Sequence, residues 1–244
     1  MFLTLKKWNL LYGLCLIVLF VSFAAILWQG RAVQTSKNLR LEEQGDIVLI
    51  LDPGHGGEDG GAVAADGTVE SQINLSIALK MEEAARLLGV NTVMTRREDI
   101  SIHDAGSVTL RQKKVSDLHN RVALCNTIPG GILISIHQNS LPAAKSVQGA
   151  QVFYNGLGDS EELAQAIQEA LNTHINNGEH PKTAKKISGG VYLMENVVCP
   201  AILVECGFLS NAQETAALKT EEHQRQLAVS ILIPTLAFLA EEKG

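Results

Sequence analysis

The sequence predicts an α/β fold: a three-layer, mostly parallel central sheet with helices on both faces, preceded by one N-terminal transmembrane helix. Three observations carry that expectation. Strand-like and helix-like segments alternate from about Asp46 onward, which is the pattern of a parallel sheet covered on both sides. Residues 8 to 28 form an uncharged apolar stretch. The chain has 244 residues, 46% of them hydrophobic, which suits one sizeable domain better than two small ones.

In chain order, residues 1–7 are a short tail ending in Lys6 and Lys7, expected on the cytoplasmic side. WNLLYGLCLIVLFVSFAAILW (8–28) follows as a membrane anchor or signal-anchor. At about 1.5 Å rise per residue it spans a hydrocarbon core of roughly 30 Å, and Trp8 and Trp28 suit the two interfaces. A cleaved signal peptide is the rival reading, because Ser22, Ala24 and Ala25 are small; the apolar run continues through Ile26, Leu27 and Trp28, which disfavours cleavage there. Lys6 and Lys7 on one side face Arg31, Lys37 and Arg40 on the other, so charge bias does not set orientation. The shortness of the tail favours tail inside and domain outside. Residues 29–45 are polar without periodicity and read as a linker.

The domain proper, 46–244, opens with IVLIL (47–51) as a strand. A helical stripe follows through Ile73, Ile77, Met81, Ala84 and Leu88, then VNTVMT (90–95) as a strand and a helix over about 110–126. ILISIH (132–137) and AQVFY (150–154) read as strands, 159–176 as a helix, GVYLM (190–194) and AILVEC (201–206) as strands, and 221–241 as the last helix. A formal net charge of −6, with no basic run longer than Lys113-Lys114 or Lys185-Lys186, does not recommend a nucleic-acid partner, and none is expected. Outside the anchor's Cys15 stand three cysteines, Cys125, Cys199 and Cys206, with no CxxC pair; neither a disulfide framework nor a thiolate metal site is implied.

Polar residues at strand ends locate a candidate site. His55 follows IVLIL, His137 ends ILISIH, and Glu205 ends AILVE; if these strands run parallel, the three meet at one edge. Glu70 stands three positions before Ile73 and continues the inward face of its helix. His55, Glu70 and His137 then form a set of three ligands with an open fourth position, the arrangement of a catalytic zinc, and Glu205 a general base toward a metal-bound water. The spacing is no compact metal motif. Each histidine alone reads as a hydrogen-bonded structural residue, and Glu70 as first-turn charge on a helix dipole. The glycines of LDPGHGGEDGGA also suggest a phosphate loop, but neither GxGxxG nor GK[ST] is present. His103, His119, His174, His180 and His223 have polar neighbours and read as solvated.

LDPGHGGEDGGA (51–62), Glu70, SIHQNS (135–140) and AILVECGFLSN (201–211), taken in order, resemble the zinc-dependent N-acetylmuramoyl-L-alanine amidases of the type 3 family over nearly the whole domain. The resemblance implies one Zn²⁺ per chain on His55, Glu70 and His137, catalysis by Glu205, and hydrolysis of the amide joining the lactyl group of N-acetylmuramic acid to L-alanine of the stem peptide. VMTRREDIS (93–101), DLHNRVALCN (117–126) and GGVYLMENVVCPAILVECGFLSN (189–211), with the short anchor, are similar to the germination-specific, spore-cortex branch of that family. This implies action during sporulation, extracytoplasmic in the forespore intermembrane space, before a muramic acid deacetylase, toward muramic lactam. Little spare length separates the elements, so regulation is expected from timing, location or a partner such as an activating envelope lipoprotein.

Several readings stay open beside this one. Secretion after signal cleavage is the alternative to anchoring; a partner-dependent or catalytically silent peptidoglycan-binding protein, or a zinc peptidase cutting within the stem, are the alternatives to the amidase. Arg96 and Arg121 read as exposed charges, or as bidentate holders of a stem carboxylate, and Asn139 as a further substrate contact. Asp52 is expected to orient the loop or a ligand, with Glu58 and Asp59 as solvated rim. Cys206, where the family motif suggests a small apolar residue, reads as a buried small hydrophobe.

Overall fold

Among the described residues six strands align in the order β2-β1-β3-β6-β4-β5. They are β1 (Val48–Pro53), β2 (Thr92–Met94), β3 (Gly131–Asn139), β4 (Gln151–Tyr154), β5 (Lys185–Lys186) and β6 (Ala201–Phe208). Every pairing is parallel except β4 with β6, so the sheet is mixed, its antiparallel step confined to one side. The computed structural model describes residues 48–241 apart from 177, 179 and 180. The expected tail, anchor and linker (1–7, 8–28, 29–45) lie outside the described residues, as does His180. Among the described residues no helix is long and apolar enough to cross a membrane.

Alternation along the central strands sorts their side chains into two cores. Leu49, Leu51, Ile134, Ile136, Ile202 and Val204 face one side, where they meet Ile73, Ile77 and Met81 of α1 (Glu70–Leu87), Leu163 and Ile167 of α3 (Ser160–His174), and Leu227 and Ile231 of α6 (Glu221–Glu241). Ile50, Leu133, Ala201 and Leu203 face the other, against Cys125 of α2 (Leu110–Asn126) and Leu193 and Met194 of α4 (Tyr192–Asn196). Both sheet faces are therefore covered by helices, and the central strands are apolar on both sides. A seven-residue helix, α5 (Ala212–Leu218), bridges β6 and α6. Helix α2 starts where Thr109 accepts from the Gln112 backbone and Gln112 returns a bond to Thr109, a reciprocal capping box.

Two local expectations need correction. GVYLM is not a strand: Gly189 and Gly190 have φ of +105° and +83°, which breaks the extended path, and Tyr192–Asn196 winds as α4 so that Leu193 and Met194 pack under the sheet. Leu88 lies past the end of α1 and is 49% exposed; Ala85 takes its place in the core.

Candidate metal centre

Strands β1, β3 and β6 are parallel neighbours, so their carboxyl ends open on one edge. Asp52 is in register with Ser135, and His137 with Glu205. Leu133, Ser135 and His137 share a face with Leu203 and Glu205 by the two-residue period of a strand. Immediately beyond, the register slips: Asn139 pairs with Phe208, so β6 holds one extra residue at the point where the site begins, a bulge that bends the strand end.

His55 sits two residues past β1 with φ +61°, a left-handed conformation uncommon for a residue with a side chain. Its Nδ1 donates to Asp59 Oδ2 at 3.0 Å, which turns Nε2 toward Glu70 Oε1 at 3.4 Å. His137 Nδ1 lies 3.0 Å from the same Glu70 oxygen. The rings stand at 78° with centroids 5.0 Å apart, and one ligand atom from each of His55, Glu70 and His137 falls within 4.8 Å of the others. Gly54 is what allows this: a Cβ there would stand 2.2 Å from the His137 ring.

Glu70 is buried as the first residue of α1, its carboxylate fixed by the Ala62 N–H at 2.8 Å, the Gln138 N–H at 3.0 Å and the Asn74 side chain at 3.3 Å. Burial alone would raise its pKa, but hydrogen bonds from His137 and His55 and their charges hold it well below the carboxylate range. For His55, burial disfavours the cation; hydrogen bonds to Asp59 and Glu70 outweigh it and lift the pKa to about 9. Two imidazoles and one carboxylate, without a thiolate, form a donor set that fits a zinc ion with an open position. Glu205 is set apart. Its Oε2 is buried without a hydrogen-bond partner, and burial pushes its pKa up to about 7. A carboxylate left unpaired beside such a donor set is poised to take a proton.

The structure brings together all four of His55, Glu70, His137 and Glu205. It corrects others. Arg96 and Arg121 are not exposed charges but 3% and 2% exposed, and their guanidiniums are committed inward: Arg121 to Asp52, Asp117 and backbone carbonyls, Arg96 to backbone carbonyls only. Neither has a free fork for a stem carboxylate. Asp52 is buried and accepts from Arg121, Thr95 and Ser135; it bonds neither histidine and acts on the loop through Arg121. Asp59 is no solvated rim residue, since it orients His55; Glu58 is exposed and pairs with Lys113. Asn139 ends β3, its Oδ1 accepting from the Ser140 N–H. Cys206 is buried in the core on the side opposite Glu205, as adjacent strand residues must be. His223, expected in solvent, is half-buried, and burial lowers its pKa.

Asp59, Asn74 and Gln138 escape a sequence reading. Asn74 had a signal, lying four residues after Glu70 on the same helix face. Asp59 had none, because the turn that returns it to His55 is closed by reciprocal Gly56 and Asp59 backbone bonds of 2.8 and 3.2 Å. Beside His55 and His137 a cavity of about 220 Å³ is lined by Lys114, Gly190, Val191 and Tyr192.

Residues 49–233 match the family model described as N-acetylmuramoyl-L-alanine amidase. Over 196 residues the chain is 37% identical to the germination-specific N-acetylmuramoyl-L-alanine amidase of Bacillus subtilis (strain 168), covering 80% of this chain and 81% of that one. The fold is similar to that of the CwlD amidase from Clostridioides difficile in complex with the GerS lipoprotein, with TM-score 0.76 and 35% identity over 80% of this chain and 99% of that one. It also resembles an N-acetylmuramoyl-L-alanine amidase from Clostridium difficile 630, with TM-score 0.68 and 27% identity over 82% and 100% of the two chains.

Proposed function

Because this chain belongs to the N-acetylmuramoyl-L-alanine amidase family and is a peptidoglycan amidase, we propose that it works as a zinc hydrolase in which His55, Glu70 and His137 hold the ion and Glu205 moves the proton. The observation that carries this is the juxtaposition of a convergent His-Glu-His donor set with a buried carboxylate oxygen that has no partner. Zinc bound there supplies a Lewis acid for the lactyl carbonyl and lowers the pKa of a coordinated water. The protein's own groups do the rest. Glu205 accepts the proton of the attacking water and returns it to the departing L-alanine nitrogen, a role suited to a carboxyl lifted toward neutrality. Asp59 holds His55 by Nδ1 and leaves Nε2 for the ion. Asn139, at the lip of β3, is offered as a substrate contact.

The likeness to the germination-specific amidase of Bacillus subtilis supports a role in spore cortex maturation, upstream of muramic acid deacetylation toward muramic lactam. The apolar segment 8–28 supports membrane anchoring with the catalytic domain outside the cytoplasm, in the forespore intermembrane space, or secretion if the segment is cleaved. The Clostridioides difficile relative occurs in complex with a lipoprotein, which supports an activating envelope lipoprotein as partner here. Incubation with zinc and peptide-bearing glycan, with and without a candidate lipoprotein, followed by mass spectrometry of the products, tests the reading. Stem peptides beginning with free L-alanine are expected. L-alanine left on muramic acid indicates a peptidase cutting within the stem, and no product under either condition indicates a silent binding protein.

A further inference from the structure

Pro53, Gly54 and His55 present three consecutive carbonyls where β1 gives way to the metal-ligand loop, and two buried guanidiniums take all three. Arg96 Nε and Arg121 Nη1 both donate to the Pro53 carbonyl, at 2.9 and 3.0 Å. Arg96 Nη2 donates to the Gly54 carbonyl at 3.1 Å, and Arg121 Nη2 to the His55 carbonyl at 2.7 Å. Arg96 Nη2 also reaches the Ser71 carbonyl at 2.9 Å, next in chain to Glu70, and Nη1 the Glu98 carbonyl at 2.9 Å. Arg121 is itself fixed from two elements, by Asp52 of β1 and by Asp117 of α2 through Nε at 2.7 Å. Every nitrogen of both guanidiniums is thereby engaged within the protein.

We propose that Arg96 and Arg121 are positioning residues that set the His55 loop against the Glu70 helix before the ion arrives, so that zinc enters a preformed site. The inference rests on the zinc reading of the donor set. Charge-assisted bonds from a rigid planar fork restrain a peptide plane more tightly than neutral ones. Here four of them restrain the planes on either side of Gly54 and His55, which is what a side-chain-bearing residue held at φ +61° requires. Through its bonds to the Gly54 and Ser71 carbonyls, Arg96 ties the segment bearing His55 to the helix turn bearing Glu70. Lysine keeps the charge but has one nitrogen, which cannot span carbonyls that face different directions.

The test is zinc affinity of the full chain, read by competition with a chromophoric chelator, for wild type, Arg96→Lys and Arg121→Lys, with circular dichroism as the check on folding. About 10- to 100-fold weaker zinc binding is expected in each folded variant, with KM at saturating zinc unchanged. Unchanged zinc affinity with a raised KM overturns the proposal and makes the arginines substrate contacts. Wild type supplies a readout that holds even if the variants fail to fold. Amides and arginine Nε–H groups of the loop and of Arg96 are expected to be protected from exchange in chelator-treated protein, with little gain on adding zinc. A loop that becomes protected only with zinc overturns preformation. Wild type that binds no zinc removes the metal assignment and the proposal with it, whereas wild type that binds zinc without releasing stems counts against the amidase chemistry alone.

Discussion

Glu205 and Cys206 are chain neighbours with opposite fates. The strand period sends Glu205 to the site edge and Cys206 into the core on the opposite face of the sheet, where burial pushes the thiol pKa well above its ordinary value. A thiol so held is a packing atom. For Glu205 the same burial acts on a group with a buried, unpaired oxygen and keeps its basicity near neutral pH. Glu205→Gln keeps the shape and removes the proposed base. Release of stem peptides is expected to fall by roughly 10²- to 10⁴-fold while zinc affinity stays within a few-fold, checked by product mass spectrometry beside a metal titration. Turnover near wild type in that variant would reassign the base.

At the scale of elements, the site is a junction of strand ends and one helix start. β1 contributes His55 through a loop, β3 ends on His137, β6 bulges after Glu205, and α1 opens with Glu70. Their spacing is set by close backbone approach, and Gly54 is where it is tightest. Gly54→Ala puts a methyl 2.2 Å from the His137 ring, so either the ring or β1 must move. We expect the variant to fold with zinc affinity lowered by at least about tenfold, the size of effect seen when ligand support is disturbed. An alanine variant that binds zinc as wild type does would show that the ring has room to shift without cost. The neighbouring α4 makes the same point differently: Gly189 and Gly190 end the extended path, and Tyr192, Leu193 and Met194, which look like the end of a strand, wind instead into the start of a helix that buries Leu193 and Met194.

For the whole molecule, one buried charge cluster links the sheet, α2 and the metal-ligand loop. Burial works against the Asp52 carboxylate, but the Arg121 charge and hydrogen bonds from Ser135 and Thr95 outweigh it and lower its pKa from 3.8 to about 2. A carboxyl depressed on folding stabilises the native state above its unfolded pKa, and that contribution disappears as pH falls through the folded value. The window is therefore between about pH 4 and pH 2, and the shift corresponds to about 2 kcal/mol. In urea unfolding across this range, wild type is expected to lead Asp52→Asn by a margin that narrows as pH falls; a constant margin would mean the cluster does not titrate on unfolding. Zinc held at the proposed site would act on the same equilibrium by mass action. Ion at about 100 times its Kd should add about 2.7 kcal/mol, seen as a rise of several degrees in Tm that a chelator reverses. A Tm indifferent to zinc and chelator would deny the ion a native-state site.

The four chemical positions were legible in the sequence because each is a polar residue at the end of an apolar pattern. His55, His137 and Glu205 interrupt strand-like runs, and Glu70 continues the stripe of its helix, so local chain order determined that these side chains would meet once the strands ran parallel. Alternation of hydrophobic segments likewise determined a mostly parallel sheet covered on both faces. Only the tertiary structure decided what holds them in place. Arg96 and Arg121 look in sequence like any surface arginines, and Asp59 like a loop acid, because their partners are backbone carbonyls or a ring brought near by folding. A hydrogen bond to a carbonyl leaves no mark on residue type at the accepting position, so the pattern of side chains along the chain contains no signal for it. The antiparallel direction of β4 against β6, the winding of α4 and the left-handed turn at His55 were decided in the same way, by packing between segments far apart in sequence.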